Sequence, residues 1–172
     1  MKNLAESGRI FLIMYNVCRS KCPNGIDYSI DRPTYILCRD YNAITDSLSK
    51  PIIQTLHGKN LSSDLIEIIT NHSITKICWD KELTTTIIDS LLAEVGIESS
   101  NSIFLDLRDL LKVKGYLHAN LTTAARSFGI IHCPKPNVNS LPKLKKRFFA
   151  FSKIVREINK IDHLNLIDGI YY

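Results

Sequence analysis

The chain has 172 residues, 45% of them apolar and 23% charged, with only 7 Gly and 6 Pro, which fits one domain with one core and excludes a low-complexity chain. No run approaches the ~18 apolar residues of a membrane span, no leader pattern opens the sequence, and an odd number of cysteines, 5, argues against a secreted disulfide framework. A single cytoplasmic domain over residues 1–172 with buried free thiols is therefore expected, and its net charge of +5 is unevenly placed: residues 132–172 hold eight Lys/Arg against three Asp/Glu, and residues 1–131 fourteen of each.

Arg9 to Val17 is an unbroken apolar run rich in branched and aromatic residues, the pattern of a strand buried on both faces. Cys22-Pro23-Asn24-Gly25 signals a turn. Ile26 to Ile30 and Thr34 to Arg39 read as two more strands, and the short connections favour antiparallel pairing. Asn42 to Gly58 reads as loop. Asn60 to His72 reads as a helix with Ser62 and Ser63 as capping residues.

Ile74 to Trp79 is a fourth strand, Lys81 to Val95 a helix closed by Gly96, and Ser102 to Leu105 a fifth strand. Asp106 to Val113 and Asn120 to Phe128 are short helices, with Asp106 and Asn120 as N-caps. A loop at Pro134 and Pro136 leads into a long helix over about 141–161. Its stripe of Leu144, Phe148, Phe151, Val155 and Ile158 steps by four and three, the spacing of a core-facing side. Phe149 is expected in the core with Phe148 and Phe151. The fold class that follows is α/β: a mixed five-stranded sheet, three antiparallel strands and then two parallel ones, flanked by helices.

Four phrases in this order resemble the DEDD-type 3′–5′ exonucleases of the RNase H-like superfamily. Pro51 to Gly58 resembles the family's loop before the first helix. Ile77-Cys78-Trp79-Asp80-Lys81 is similar to its "V-x-H-N" strand end, and Ser102 to Leu111 to its "F-x-D-T-x-x-L". Asn120 to Ile130 resembles its "L-x-x-L-A-x-x-F-G-I" helix. The resemblance spans about residues 8 to 160. It implies a chemistry in which carboxylates hold two divalent ions that activate water and stabilise the leaving oxygen.

The acids that this chemistry requires are missing. Where the family's first strand ends in Asp-x-Glu, this chain has Asn16 and Cys18. Thr85 or a neighbour stands at the second acidic position, and Lys143 at the last, where its ammonium would repel a cation. The resemblance therefore implies a degenerate former site of Asn16, Cys18, Thr85 and Lys143, with no catalytic residue, cofactor or metal. The alternative is an active metal-dependent exonuclease with relocated ligands, drawn from Asp80, Glu82, Asp89 and Asp106. Cys18-x3-Cys22 with Cys38 or His132-Cys133 has zinc-ligand residue types but lacks the usual paired spacing.

Lys143, Lys145, Lys146 and Arg147 crowd the start of the last helix, and Lys153, Arg156 and Lys160 follow. Cations at a helix N-terminus oppose its dipole. Their accumulation on one side suits an anionic partner, either the phosphates of a nucleic acid or an acidic protein surface. An interaction module binding a protein partner or nucleic acid through Lys143, Lys145, Lys146, Arg147 and Lys153 is the expected function.

Overall fold

The computed structural model describes residues 8–16, 19–21, 28–30, 32–98, 104–117, 120–135 and 140–162. Cys18, the turn at 22–25, Pro136 and the apolar tail at 167–172 lie outside these residues.

The central strand β1 (Arg9–Tyr15) is apolar throughout its middle because both of its faces are covered. Ile10, Leu12 and Met14 point into one core, and Phe11 and Ile13 into the other. β4 (Tyr35–Asn42) pairs antiparallel with β1 over its whole length, from Arg9 opposite Asn42 to Tyr15 opposite Ile36. β7 (Thr75–Cys78) lies parallel to β1 on its other side, and β8 (Phe104–Asp106) lies parallel to β7. The outer edge of β4 is shared by β5 (Ser47–Leu48) and β6 (Ile52–Thr55), each antiparallel to it.

The sheet thus has five positions, three antiparallel and then two parallel, as the sequence predicts. The identity of the outermost strand differs. Tyr28–Ile30 (β3) does not join the sheet but pairs with Arg19–Lys21 (β2) in a separate two-stranded ribbon. The outer position falls instead to β5 and β6, inside the stretch that reads as loop. An edge strand needs no alternating apolar face: Ile52 and Ile53 are exposed here, so the periodicity that marks a buried strand is absent.

Helices cover both faces. α1 (Ser63–Thr70), N-capped by Ser62, and α2 (Lys81–Ala93) pack Leu65, Ile69, Ile88 and Leu92 against Phe11, Ile13, Ile36 and Cys38. α3 (Leu107–Val113), α4 (Leu121–Ser127) and α5 (Leu141–Asp162) pack Leu110, Ala124, Phe148 and Phe151 against the opposite face. Asn120 caps α4 as predicted, and Gly129 follows it in the left-handed region at φ 71°, the conformation that glycine adopts most easily after a helix. Phe149 departs from expectation. It lies one residue off the core stripe and is 60% exposed.

The three described cysteines are buried free thiols, and burial pushes Cys38 and Cys78 up to about 12. Cys38 and Cys133 lie in different cores, on opposite faces of the sheet, so they do not share a ligand site.

Lys76 on β7 is fully buried, and its ammonium donates to the backbone oxygens of Asn71 and Ile74 at 2.5 and 3.0 Å. Burial pulls its pKa from 10.5 down to about 8. Between those values the unfolded chain keeps a proton that the folded chain releases, so this group adds stability as pH rises through the window. Cys38, Cys78 and Tyr41, raised to about 12, act in the opposite sense at higher pH. Comparison with Lys76→Met isolates the lysine. The stability difference, wild type minus variant, should increase by up to about 3 kcal/mol from about pH 7.5 to about pH 10.5 in urea melts. A difference that stays constant refutes the assignment.

Candidate functional site

The ends of β1, β7 and β8 meet the first turns of α2 and α3; of the four expected former-site residues, Asn16 follows β1 and Thr85 lies on α2, while Lys143 stands exposed on α5. Asn16, immediately after β1, is buried, and its side-chain oxygen accepts from the backbone N–H of Thr34 and of Tyr35 at 3.1 and 2.7 Å. Its own N–H donates to the Tyr35 carbonyl at 3.3 Å. The amide therefore acts as a clamp between β1 and the start of β4. Cys18 lies outside the described residues.

On α2 the residue that faces β1 is Thr84, not Thr85. Thr84 is fully buried, and its hydroxyl lies 3.0 Å from the Tyr15 hydroxyl. Thr85 turns away, donates to the Lys81 carbonyl at 2.9 Å and lines an open groove of ≈ 540 Å³ with Glu82 and Asp89. Paired carboxylates at this junction would repel one another without a bound cation. Tyr15 and Thr84 instead close it with a neutral hydrogen bond.

Asp106, at the end of β8, is the one buried carboxylate among the described residues. Its oxygens accept from the N–H of Asp80 at 3.3 Å, of Lys81 at 2.8 Å and of Arg108 at 2.8 Å. The Arg108 guanidinium adds a bond of 2.9 Å. Burial alone pushes the Asp106 carboxyl up. The Arg108 side chain and the amides of Lys81 and Arg108 outweigh it and hold the group below its ordinary range. Asp106 is the N-cap of α3, as the sequence predicts, and it also ties down the start of α2.

Asp80 caps α2 from a left-handed backbone at φ 69°, an unusual conformation for a residue with a side chain. It is held there by its bond to Asp106 and by Arg108, whose guanidinium lies 3.2 Å from its carboxylate. Among the described residues, no group of three or more His, Cys, Asp and Glu stands together in a way that could hold a metal ion.

The basic residues of α5 divide into three sets. Arg156 makes a two-pronged bond to Asp46 at 2.8 and 2.9 Å, and Lys160 pairs with Glu157 at 3.2 Å. The Arg156 bond fastens the C-terminal half of the helix to the turn after β4. Arg147, expected on the binding face, turns inward and donates to the Pro134 carbonyl at 2.7 Å and to the Thr122 hydroxyl at 3.4 Å. Lys143, Lys145, Lys146 and Lys153 are exposed and form no ion pair with a described residue.

A mixed sheet of this order, with helices on both faces, defines an exonuclease-like α/β fold. No known protein family matches the chain, and neither does any curated protein. A solved structure described as "3'-end specific recognition of histone mRNA stem-loop by 3'-exonuclease" superposes with a TM-score of 0.63 at 9% identity, covering 90% of this chain and 83% of that one. At that identity the likeness establishes the fold. No helix among the described residues is long and apolar enough to cross a membrane.

Replacing Asp106 tests its structural role. Asp106→Asn should lower stability at about pH 7 by about 2–3 kcal/mol, because it weakens a charge-assisted network in a buried place. The carboxyl is held low, so its contribution is present above about pH 4 and disappears as pH falls through the folded value. Urea melts at about pH 7 and about pH 3 should show the gap between wild type and variant closing in acid. An equal gap at both pH values would place the effect elsewhere.

Proposed function

We propose that this chain is an exonuclease-fold module that binds nucleic acid without cutting it. The observation that carries the reading is the saturation of Asp106. The carboxylate best placed to replace the family's missing acids commits its oxygens to three backbone amides and a guanidinium. A hard divalent ion would have to displace Arg108 and uncap two helices to reach it. The Asn16 clamp and the Tyr15–Thr84 bond support the same reading, because each sets a neutral hydrogen bond at the end of β1, where the resemblance leads one to expect acids.

Support for nucleic acid as the ligand comes from the charge that the fold leaves unused. Asp46 and Glu157 pair with Arg156 and Lys160 in the far half of α5, while Lys143, Lys145, Lys146 and Lys153 remain exposed. The similar solved structure concerns an exonuclease that recognises RNA, which fits the same ligand class.

The test uses 5′-labelled single-stranded RNA and DNA oligonucleotides with magnesium or manganese. The oligonucleotides should remain full-length over hours. They should also be retained by the protein with a log K against log [salt] slope near −2, about −0.7 for each of three phosphate contacts. A ladder shortened from the 3′ end, dependent on manganese and lost in Glu82→Gln/Asp89→Asn, would establish the active alternative with relocated ligands.

A further inference from the structure

We infer that a single-stranded nucleic acid lies in the groove between the 129–132 turn and the first half of α5, with a base stacked on Phe149. This inference rests on the nucleic-acid reading above and locates it. The groove has a volume of ≈ 530 Å³ and lies on the α3–α5 face. It is formed by Ile131 and His132 on one side and by Lys145, Lys146, Phe149 and Lys153 on the other.

The lining combines two properties seldom found together on a solvated helix face. Ile131 and Phe149 are 81% and 60% exposed, although both are large and apolar. Three lysines surround them, and no carboxylate lines the groove among the described residues. Lys145, Phe149 and Lys153 follow one another at i, i+4 and i+8, so they form one row on the helix surface. That row runs about 12 Å along the axis, roughly the span of four stacked nucleotides, whose three steps of about 3.4 Å cover about 10 Å.

A flat ring between cations matches the alternation of base and phosphate in a single strand. Stacking on an aromatic side chain is available to every base and needs no particular sequence. A duplex hides its base faces and offers Phe149 nothing to stack on. A run of acidic side chains alone would meet the lysines but leave Phe149 and Ile131 without a matched partner. The chemistry therefore selects a single strand over both.

The fold supports the groove from behind. Arg147 projects from the same turn of α5 but inward, and its bonds to Pro134 and Thr122 fix the segment after the 129–132 turn against the helix. Arg147 is thus a positioning residue for this surface, and its replacement would test folding rather than binding.

Fluorescence anisotropy with labelled oligo-dT and oligo-rU of about twelve nucleotides, and with a duplex of the same length, tests the inference. Wild type should bind the single strands more tightly than the duplex by about tenfold or more. Phe149→Ala should weaken single-strand binding about 5- to 100-fold, and Phe149→Trp should restore it, both with an unchanged melting temperature. Lys145→Glu/Lys146→Glu/Lys153→Glu should abolish binding, while Lys59→Glu, elsewhere on the surface, should not.

Four outcomes overturn the inference. If wild type binds but Phe149→Ala binds equally well, the groove is wrong while the proposed function stands. The same follows if the duplex matches the single strand. If a poly-glutamate peptide of matching length binds more tightly than oligo-dT and with the same dependence on Phe149, the ligand is an acidic protein. If no oligonucleotide binds at low salt, both the groove and the nucleic-acid reading fall.

Discussion

The fold depends on β1 being buried on both faces. Alternate residues of Ile10 to Met14 enter different cores, so a helical layer must cover each side of the sheet. With no charged residue between Arg9 and Asn16, the strand has no register in which one face could turn to water. The two layers therefore close around its C-terminal end, and whatever stands there is desolvated. A buried amide, hydroxyl or carboxylate at that place must find a partner or cost about 1–3 kcal/mol. Asn16, Tyr15, Thr84 and Asp106 each find one within the chain.

A sheet end of this type admits two electrostatic solutions. Several carboxylates can gather there if divalent ions neutralise them, which makes the end reactive. Alternatively, the charges can be removed or paired internally, which makes the end part of the scaffold. In this chain Asp106 is paired with Arg108 and bound by amides, and Asp80 is held within the same network in a left-handed conformation. The pairing is structural, since it fixes the starts of α2 and α3 relative to β8. The internal network thus holds this junction together through the chain's own groups.

The double burial of β1, the caps at Ser62, Asp106 and Asn120, and the core stripe of α5 are all legible in the sequence because each is a local pattern with one physical cause. The outer strand is not. β5 and β6 pair with β4 while facing water, so they carry hydrogen bonds without periodicity. In α2 the sequence points to Thr85 or a neighbour and does not choose between Thr84 and Thr85 as the residue that meets Tyr15. Adjacent residues on a helix point about 100° apart, and only packing decides which meets Tyr15. The same angular limit explains Phe149, which follows Phe148 in the sequence but not into the core. Arg147 escapes the sequence reading for another reason: charge predicts exposure, but an arginine can bury its stem and satisfy its guanidinium on a backbone carbonyl.

Phe149 and Arg147 show how α5 divides its duties. Its C-terminal half is consumed by the fold, through Arg156 on Asp46 and through Asn159, which donates to the Tyr41 hydroxyl at 2.8 Å. Its N-terminal half keeps lysines near the positive end of the helix dipole, at a cost of about a few tenths of a kcal/mol each. Nothing in the packing of the described residues requires that arrangement, since Leu144, Phe148 and Phe151 already provide the contacts to the core. Neutral or acidic residues in place of Lys145 and Lys146 would suit the isolated helix better. The excess charge and the exposed ring beside it are therefore not accounted for by the contacts that the described residues make.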